Sequence, residues 1–183
     1  MKSIISSAFS RQPVPGLLLL LTLLAGCGLF APVDTVDTTR RRSPAPARPG
    51  GSPTSYIRAD IVEHAGELLG VPYKYGGNSP REGFDCSGLV RFVYSGAGLP
   101  IERVSREQAK QGKLVRPNDA RPGDLVFFKR GTGPVFHVSV IERVAPGEVW
   151  VVHATSSRGV IRENIMASTY WKPKIYQIRD VIN

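Results

Sequence analysis

The run Gly83-Phe84-Asp85-Cys86-Ser87-Gly88-Leu89 leads into the apolar positions Leu89, Val90, Phe92 and Val93. Their spacing predicts a helix over Cys86 to Ser95. A loop of glycines and polar residues, Gly76 to Gly83, precedes it. Cys86 therefore falls at a helix N-terminus. Unpaired N–H groups and a partial positive charge there favour a thiolate and lower a cysteine pKa. Gly88 and Ser87 permit close backbone approach. Two readings stand open at this point: Cys86 is a nucleophile, or it is an inert cysteine that starts a helix.

A thiol nucleophile needs a base within hydrogen-bond reach, and the base needs an orienting partner. The chain has 3 His. His137 sits in Phe136-His137-Val138-Ser139-Val140, so strand alternation points it away from the face of Val138 and Val140. His153 ends the next strand, Val151-Val152-His153. Pairing of these strands through the Ala145-Pro146-Gly147 turn would bring both imidazoles to neighbouring positions of one sheet. His137 could then be the base and His153 its orienting partner. The plain alternative is two half-buried histidines satisfied by the backbone. A Cys86–His137–His153 zinc site has no supporting CxxC or HExxH spacing, so neither a metal nor another cofactor is expected. His64, beside Glu63 and Glu67, reads as a surface histidine.

The elements around these residues divide into two halves. Ser55 is the expected cap of a first helix with the stripe Ile57, Ile61, Ala65 and Leu68, ended by Gly70. Ser105-Arg106-Glu107-Gln108 has the capping-box pattern of a short third helix. Strands follow: Asp124–Lys129 after Pro122-Gly123, Phe136–Arg143, Glu148–His153, Val160–Arg162 and Lys174–Ile178. Helices and then a run of antiparallel strands predict an α+β domain, with N-terminal helices packed on a mostly antiparallel sheet of about five strands. Tyr75 is expected as a loop aromatic packing on the core, Trp150 in the core, Trp171 in the core or at a rim, and Asp124 is expected to fix its turn.

The whole chain has 183 residues and a net charge of +9. Its 42% hydrophobic content excludes wholesale disorder. Lys2 and Arg11 precede the apolar run Leu17 to Leu24, which is too short to span a bilayer, where about 20 residues are needed. It reads as an export signal. The following Leu24-Ala25-Gly26-Cys27 resembles a bacterial lipobox, which implies cleavage after residue 26 and acylation of Cys27. Cys86 is then the one remaining thiol of an exported protein. Gly28 is not the Asp that retains enteric lipoproteins at the inner membrane, so the implied address is the outer membrane, facing the periplasm. Residues 27–54, rich in Pro and carrying Arg40-Arg41-Arg42, read as a tether. Residues 55–183 form the expected domain, with 18 Lys+Arg against 13 Asp+Glu. A basic exported domain suits carboxylate-bearing wall polymers. Nucleic acid is not an expected partner, since no binding motif is present.

Four pieces in order resemble the NlpC family of bacterial cell-wall peptidases, which are papain-like cysteine enzymes. They are Gly70-Val71-Pro72-Tyr73-Lys74-Tyr75-Gly76-Gly77, Asp85-Cys86-Ser87-Gly88-Leu89-Val90, Arg121-Pro122-Gly123-Asp124-Leu125-Val126-Phe127-Phe128, and the pair His137-Val138 and His153-Ala154. The resemblance implies a papain-like fold and a lipid-anchored endopeptidase acting on stem peptides of peptidoglycan or on their cross-links. It implies Cys86 as nucleophile, His137 as base and His153 as orienting residue. The Cys86 N–H and the Tyr73 hydroxyl would serve the oxyanion. Asp85 and Ser87 would contact amine or carboxylate groups of the peptide. A non-catalytic wall-binding lipoprotein, or an amidase or acyltransferase on the same scaffold, are the competing readings.

Overall fold

The computed structural model describes residues 51–183. The expected leader, Cys27 and the tether up to residue 50 lie outside the described residues. Helix α1 runs Pro53–Glu67, and its cap is Ser52, whose hydroxyl accepts the Ser55 N–H at 3.2 Å. The expected cap at Ser55 is displaced because Pro53, lacking an N–H, suits the first helical position. Ile61, Ala65 and Leu68 are buried and Ile57 packs against them. His64 is half-buried rather than on the open surface, its ring 5.2 Å from Phe92.

Strands β1 (Asn78–Ser79) and β2 (Gly83–Phe84) make a small hairpin inside the segment expected to be a loop. Helix α2 follows at Cys86–Gly96. Its cap is Asp85, which accepts the Gly88 N–H at 2.6 Å. A β-carbon on Gly88 would lie 2.0 Å from the Gly77 carbonyl oxygen, so only glycine lets the hairpin close over the helix start. Helix α3 (Ser105–Gln108) is capped by Val104 without a side-chain bond. The expected capping box does not form. Gln108 instead donates its amide to the carbonyls of Ser87 and Glu102, at 3.1 and 2.7 Å.

Six strands form the main sheet: β3 (Lys113–Val115), β4 (Leu125–Lys129), β5 (Val135–Ala145), β6 (Glu148–Thr155), β7 (Gly159–Asn164) and β8 (Ile175–Asp180). The order is β3-β8-β4-β5-β6-β7, with every pairing antiparallel. The strand not foreseen is β3, three residues at an edge with Leu114 exposed, too short to carry a period-two signal. The α+β class, with helices preceding an antiparallel sheet, is as expected.

Both sheet faces are covered. Leu125, Phe127, Val138, Val140 and Val152 pack against α1 and α2. Val126, Phe128, Ile141 and Val151 pack on the other side against Ile165 and Trp171. Full burial of side chains of this size stabilises by roughly 1.5–3 kcal/mol each. Trp150 is only half-buried, its indole N–H held 2.9 Å from Glu148, and Tyr75 is 90% exposed, so neither is a core residue. Trp150 is paired on both sides, with Arg143 of β5 and Asn164 of β7, and Tyr75 lies in the turn ahead of β1.

One buried ionic cluster ties the helices to the sheet. Arg58 of α1 lies 2.7 Å from Asp124 and 2.6 Å from Asp180, and donates to the Pro122 carbonyl at 2.9 Å. Asp124 also accepts the Arg121 N–H, so it fixes the turn as expected and holds Arg58 as well.

Candidate active site

Cys86 occupies the first position of α2 and is a free cysteine, half-buried as a residue. A cavity of about 450 Å³ opens beside it, lined among others by Tyr73, Cys86, His137 and Trp171. The register Val140↔Val152 sets Ser139 across from His153 and His137 one diagonal step away. The two imidazoles meet there, with His137 Nε2 3.0 Å from His153 Nδ1. His137 is 6% exposed and His153 fully buried, so water does not compete for that bond. The Trp171 ring stacks on His137 at 4.5 Å and lies 5.1 Å from His153, which fixes the plane of the His137 ring.

Electrostatics differ from the sequence expectation at the thiol. Burial pushes the Cys86 thiol up to about 11, and the nearby Asp85 adds to the rise; an N–H bond from Val138 opposes it. The helix terminus does not outweigh desolvation, so the substrate-free site holds a neutral thiol. Burial holds His137 well below the ordinary imidazole range, with His153 contributing. Burial likewise takes His153 down to about 4, partly opposed by Glu163. Burial thus favours the neutral form of the thiol and of both imidazoles.

These depressed imidazoles make stability pH-dependent. Above about pH 6.5 histidine is neutral in both folded and unfolded chains. Between there and about 4 the unfolded chain takes up protons that buried His153 refuses, so stability is lost as pH falls. Each such group contributes a slope of up to about 1.4 kcal/mol per pH unit. Urea unfolding at several pH values is expected to show a loss of a few kcal/mol across this window. A His153→Asn variant should show a shallower slope; an equal slope would contradict the burial argument.

Asp85 and Ser87 are buried against Arg103. Arg103 donates to Asp85 Oδ2 at 2.8 Å, to Asp85 Oδ1 at 3.0 Å and to Ser87 Oγ at 3.0 Å. Burial raises the Asp85 carboxyl, but Arg103, the Gly88 N–H and Ser87 outweigh it and hold the group below its usual range. The first partner of both residues is therefore within the protein. Burial, with Cys86 and Asp85 nearby, raises the Tyr73 phenol, so Tyr73 stays a proton donor at the cavity wall.

Arg103, Trp171, Glu163 and Arg158 were not foreseen around the site. Glu163 Oε2 lies 3.4 Å from His153 Nε2 and accepts from Arg158 at 2.8 Å. No local pattern marks them, because each reaches the site only through strand register or a loop crossing. Among the described residues no group of three or more His, Cys, Asp or Glu side chains is placed to hold a metal ion.

The profile of the NlpC/P60 family matches residues 70–180. The chain is 32% identical over 162 residues to the probable endopeptidase NlpC of Escherichia coli K12, covering 87% of this chain and 93% of that protein. It is 43% identical over 111 residues to the gamma-DL-glutamyl hydrolase of Bacillus subtilis, covering 61% of this chain but only 27% of that longer protein. Among solved structures, the peptidoglycan hydrolase RipB of Mycobacterium tuberculosis superposes with a TM-score of 0.58 at 29% identity, over 71% of this chain and 67% of that one.

Proposed function

Since the chain belongs to the NlpC/P60 family, we propose that it is a peptidoglycan endopeptidase that hydrolyses amide bonds of stem peptides or their cross-links by a Cys86–His137–His153 mechanism. The observation that carries this reading is the imidazole pair, 3.0 Å apart, on the cavity that Cys86 also lines. Names of the relatives, endopeptidase and peptidoglycan hydrolase, support the same class of substrate. Arg130 and Arg158 on the cavity wall suit a peptide that carries free carboxylates.

In this mechanism His137 Nε2 is engaged by His153, which leaves Nδ1 to take the Cys86 proton. The sulfur attacks the amide carbonyl and a tetrahedral oxyanion forms. The Cys86 N–H, at the helix start, and the Tyr73 hydroxyl are the donors suited to it. The protonated His137 then gives its proton to the leaving amine, and an acyl-enzyme remains. Water, deprotonated by His137, releases the acid and regenerates the thiol. Asp85 and Ser87, anchored to Arg103, would form the adjoining wall that meets the peptide's polar groups. Digestion of purified sacculi, with mass spectrometry of the products, tests the proposal and identifies the bond. Absence of any cleaved amide would leave the wall-binding reading in its place.

The proposal extends to location. Acylation at Cys27 would hold the domain at the outer membrane, with residues 27–54 as its tether, and the lipobox Leu24 to Cys27 supports this. Exchange of residues 1–27 for a cleavable export leader without a lipidated Cys is expected to move the protein from the membrane to the soluble fraction while its domain keeps the wild-type rate on soluble muropeptides. Retention in the membrane fraction would refute the anchor.

A further inference from the structure

His153 is fully buried, with Nδ1 committed to His137. On the opposite edge of the ring, Nε2 lies 3.4 Å from Glu163 Oε2. Glu163 stands in β7, two residues along from Ile161, which pairs with His153. The carboxylate and the ring therefore share one face as diagonal neighbours. Arg158, in the turn between β6 and β7, grips the same oxygen at 2.8 Å and holds it on station. The charged and titratable groups facing His153 are thus His137 from β5, Glu163 from β7 and Arg158 from the turn, with Trp171 packed on the ring. The separation of 3.4 Å is longer than an ordinary N–H···O bond. Such bonds in a substrate-free site commonly tighten on occupancy.

We infer that Glu163 is a positioning residue that sets the tautomers of both imidazoles, so that His137 presents an unprotonated Nδ1 to the thiol. A neutral imidazole carries one N–H, and an ionised carboxylate only accepts. Glu163 therefore selects the His153 tautomer with the proton on Nε2. His153 Nδ1 is then an acceptor, and the facing His137 Nε2 must carry the proton. That leaves the lone pair of His137 on Nδ1. Without the carboxylate, the reversed bond, from His153 Nδ1–H to His137 Nε2, is equally well made. In that form His137 Nδ1 bears a hydrogen and cannot take the Cys86 proton. A histidine in the orienting position works only if something beyond it decides its tautomer, and Glu163 is placed to do so.

The inference rests on the Cys86–His137–His153 reading for its effect on rate, but not for its structural content. ¹⁵N NMR of the imidazoles at neutral pH reads the tautomers directly, in a Cys86→Ala background if need be. The wild type is expected to carry Nε2–H on both rings. Glu163→Leu should show reversed or mixed tautomers and a kcat lower by roughly 10- to 100-fold, the usual cost of losing an outer partner, with KM little changed. Glu163→Gln, whose carbonyl still accepts, should keep the tautomers and recover part of kcat, with an altered pH–rate profile because the negative charge is gone. Dispersed spectra verify that both variants fold. Wild-type tautomers in Glu163→Leu, or altered tautomers with an unchanged kcat, would overturn the assignment. Full activity of Cys86→Ala would instead overturn the mechanism while leaving the tautomer result standing.

Discussion

Replacing Cys86 with Ala is expected to lower peptide release from purified sacculi by at least about 10³-fold while leaving the domain folded. Removing the nucleophile of a covalent mechanism leaves only the residual rate supplied by binding and the oxyanion donors. Its structural cost is small. Only one small side-chain atom is lost, the helix cap is Asp85, and the close approach over the helix start depends on Gly88. Stability should therefore change by no more than about 1 kcal/mol, within the range of a minor truncation. Cys86→Ser should also be severely impaired, because a hydroxyl gives up its proton to a neutral imidazole far less readily than a thiol does. With burial already holding the Cys86 thiol up to about 11, the proposed mechanism needs His137 to take the proton during attack. The rate of the wild type should accordingly fall at acid pH as the imidazole pair takes a proton. Product release by Cys86→Ala at the wild-type rate, measured by chromatography of the soluble muropeptides, would exclude this cysteine from the chemistry.

Arg58→Ala is expected to destabilise the domain by about 3–5 kcal/mol, the range found when one partner of a buried ion pair is removed. Asp124 is fully buried and Asp180 nearly so, and Arg58 lies within 2.7 Å of both. Without the guanidinium, two carboxylates share a dry site with one remaining cation, Arg121, 3.2 Å from Asp180 and largely exposed. The loss should carry a pH signature. Removal of Arg58 raises the folded-state pKa of both acids, so the folded chain binds protons that the unfolded chain releases. The destabilisation relative to wild type should then be larger at pH 7 than near pH 4.5, where the acids begin to be neutralised. Urea denaturation of both proteins at the two pH values measures this difference. A loss below about 1 kcal/mol at neutral pH would mean that packing alone holds α1 on the sheet. A double change that also neutralises Asp124 to Asn should recover part of the loss, since it removes an uncompensated buried charge.

The elements were legible wherever a period or a cap is written locally. The helix at Cys86 needed only its apolar spacing and the preceding glycine loop. The strands from Leu125 to Asp180 were visible as β-branched and aromatic runs between turns. Legibility failed where several local signals compete or where the element is too short. Ser52, not Ser55, caps α1 because Pro53 selects the frame. The Ser105 capping box lost to a buried demand elsewhere, the two carbonyls that Gln108 satisfies. Trp150 looked like core from its strand, but residency in a strand does not decide which positions are covered.

The site divides along the same line. The sequence by itself determined the chemical types: one cysteine at a helix start, two histidines on successive strands, and a turn able to pair them. Those follow from local conformation, and local conformation is what neighbouring residues dictate. Only the tertiary structure decided the ionisation of the thiol, because burial depends on everything packed around Cys86, and here it overrides the helix terminus. The tertiary structure alone also brought Arg103 to Asp85, Trp171 to the face of His137, and Glu163 with Arg158 to the far edge of His153. These contacts join residues up to 34 positions apart in the chain. They are made by strand register and loop crossings, whose energies are summed over the whole sheet and leave no mark on any short stretch of sequence.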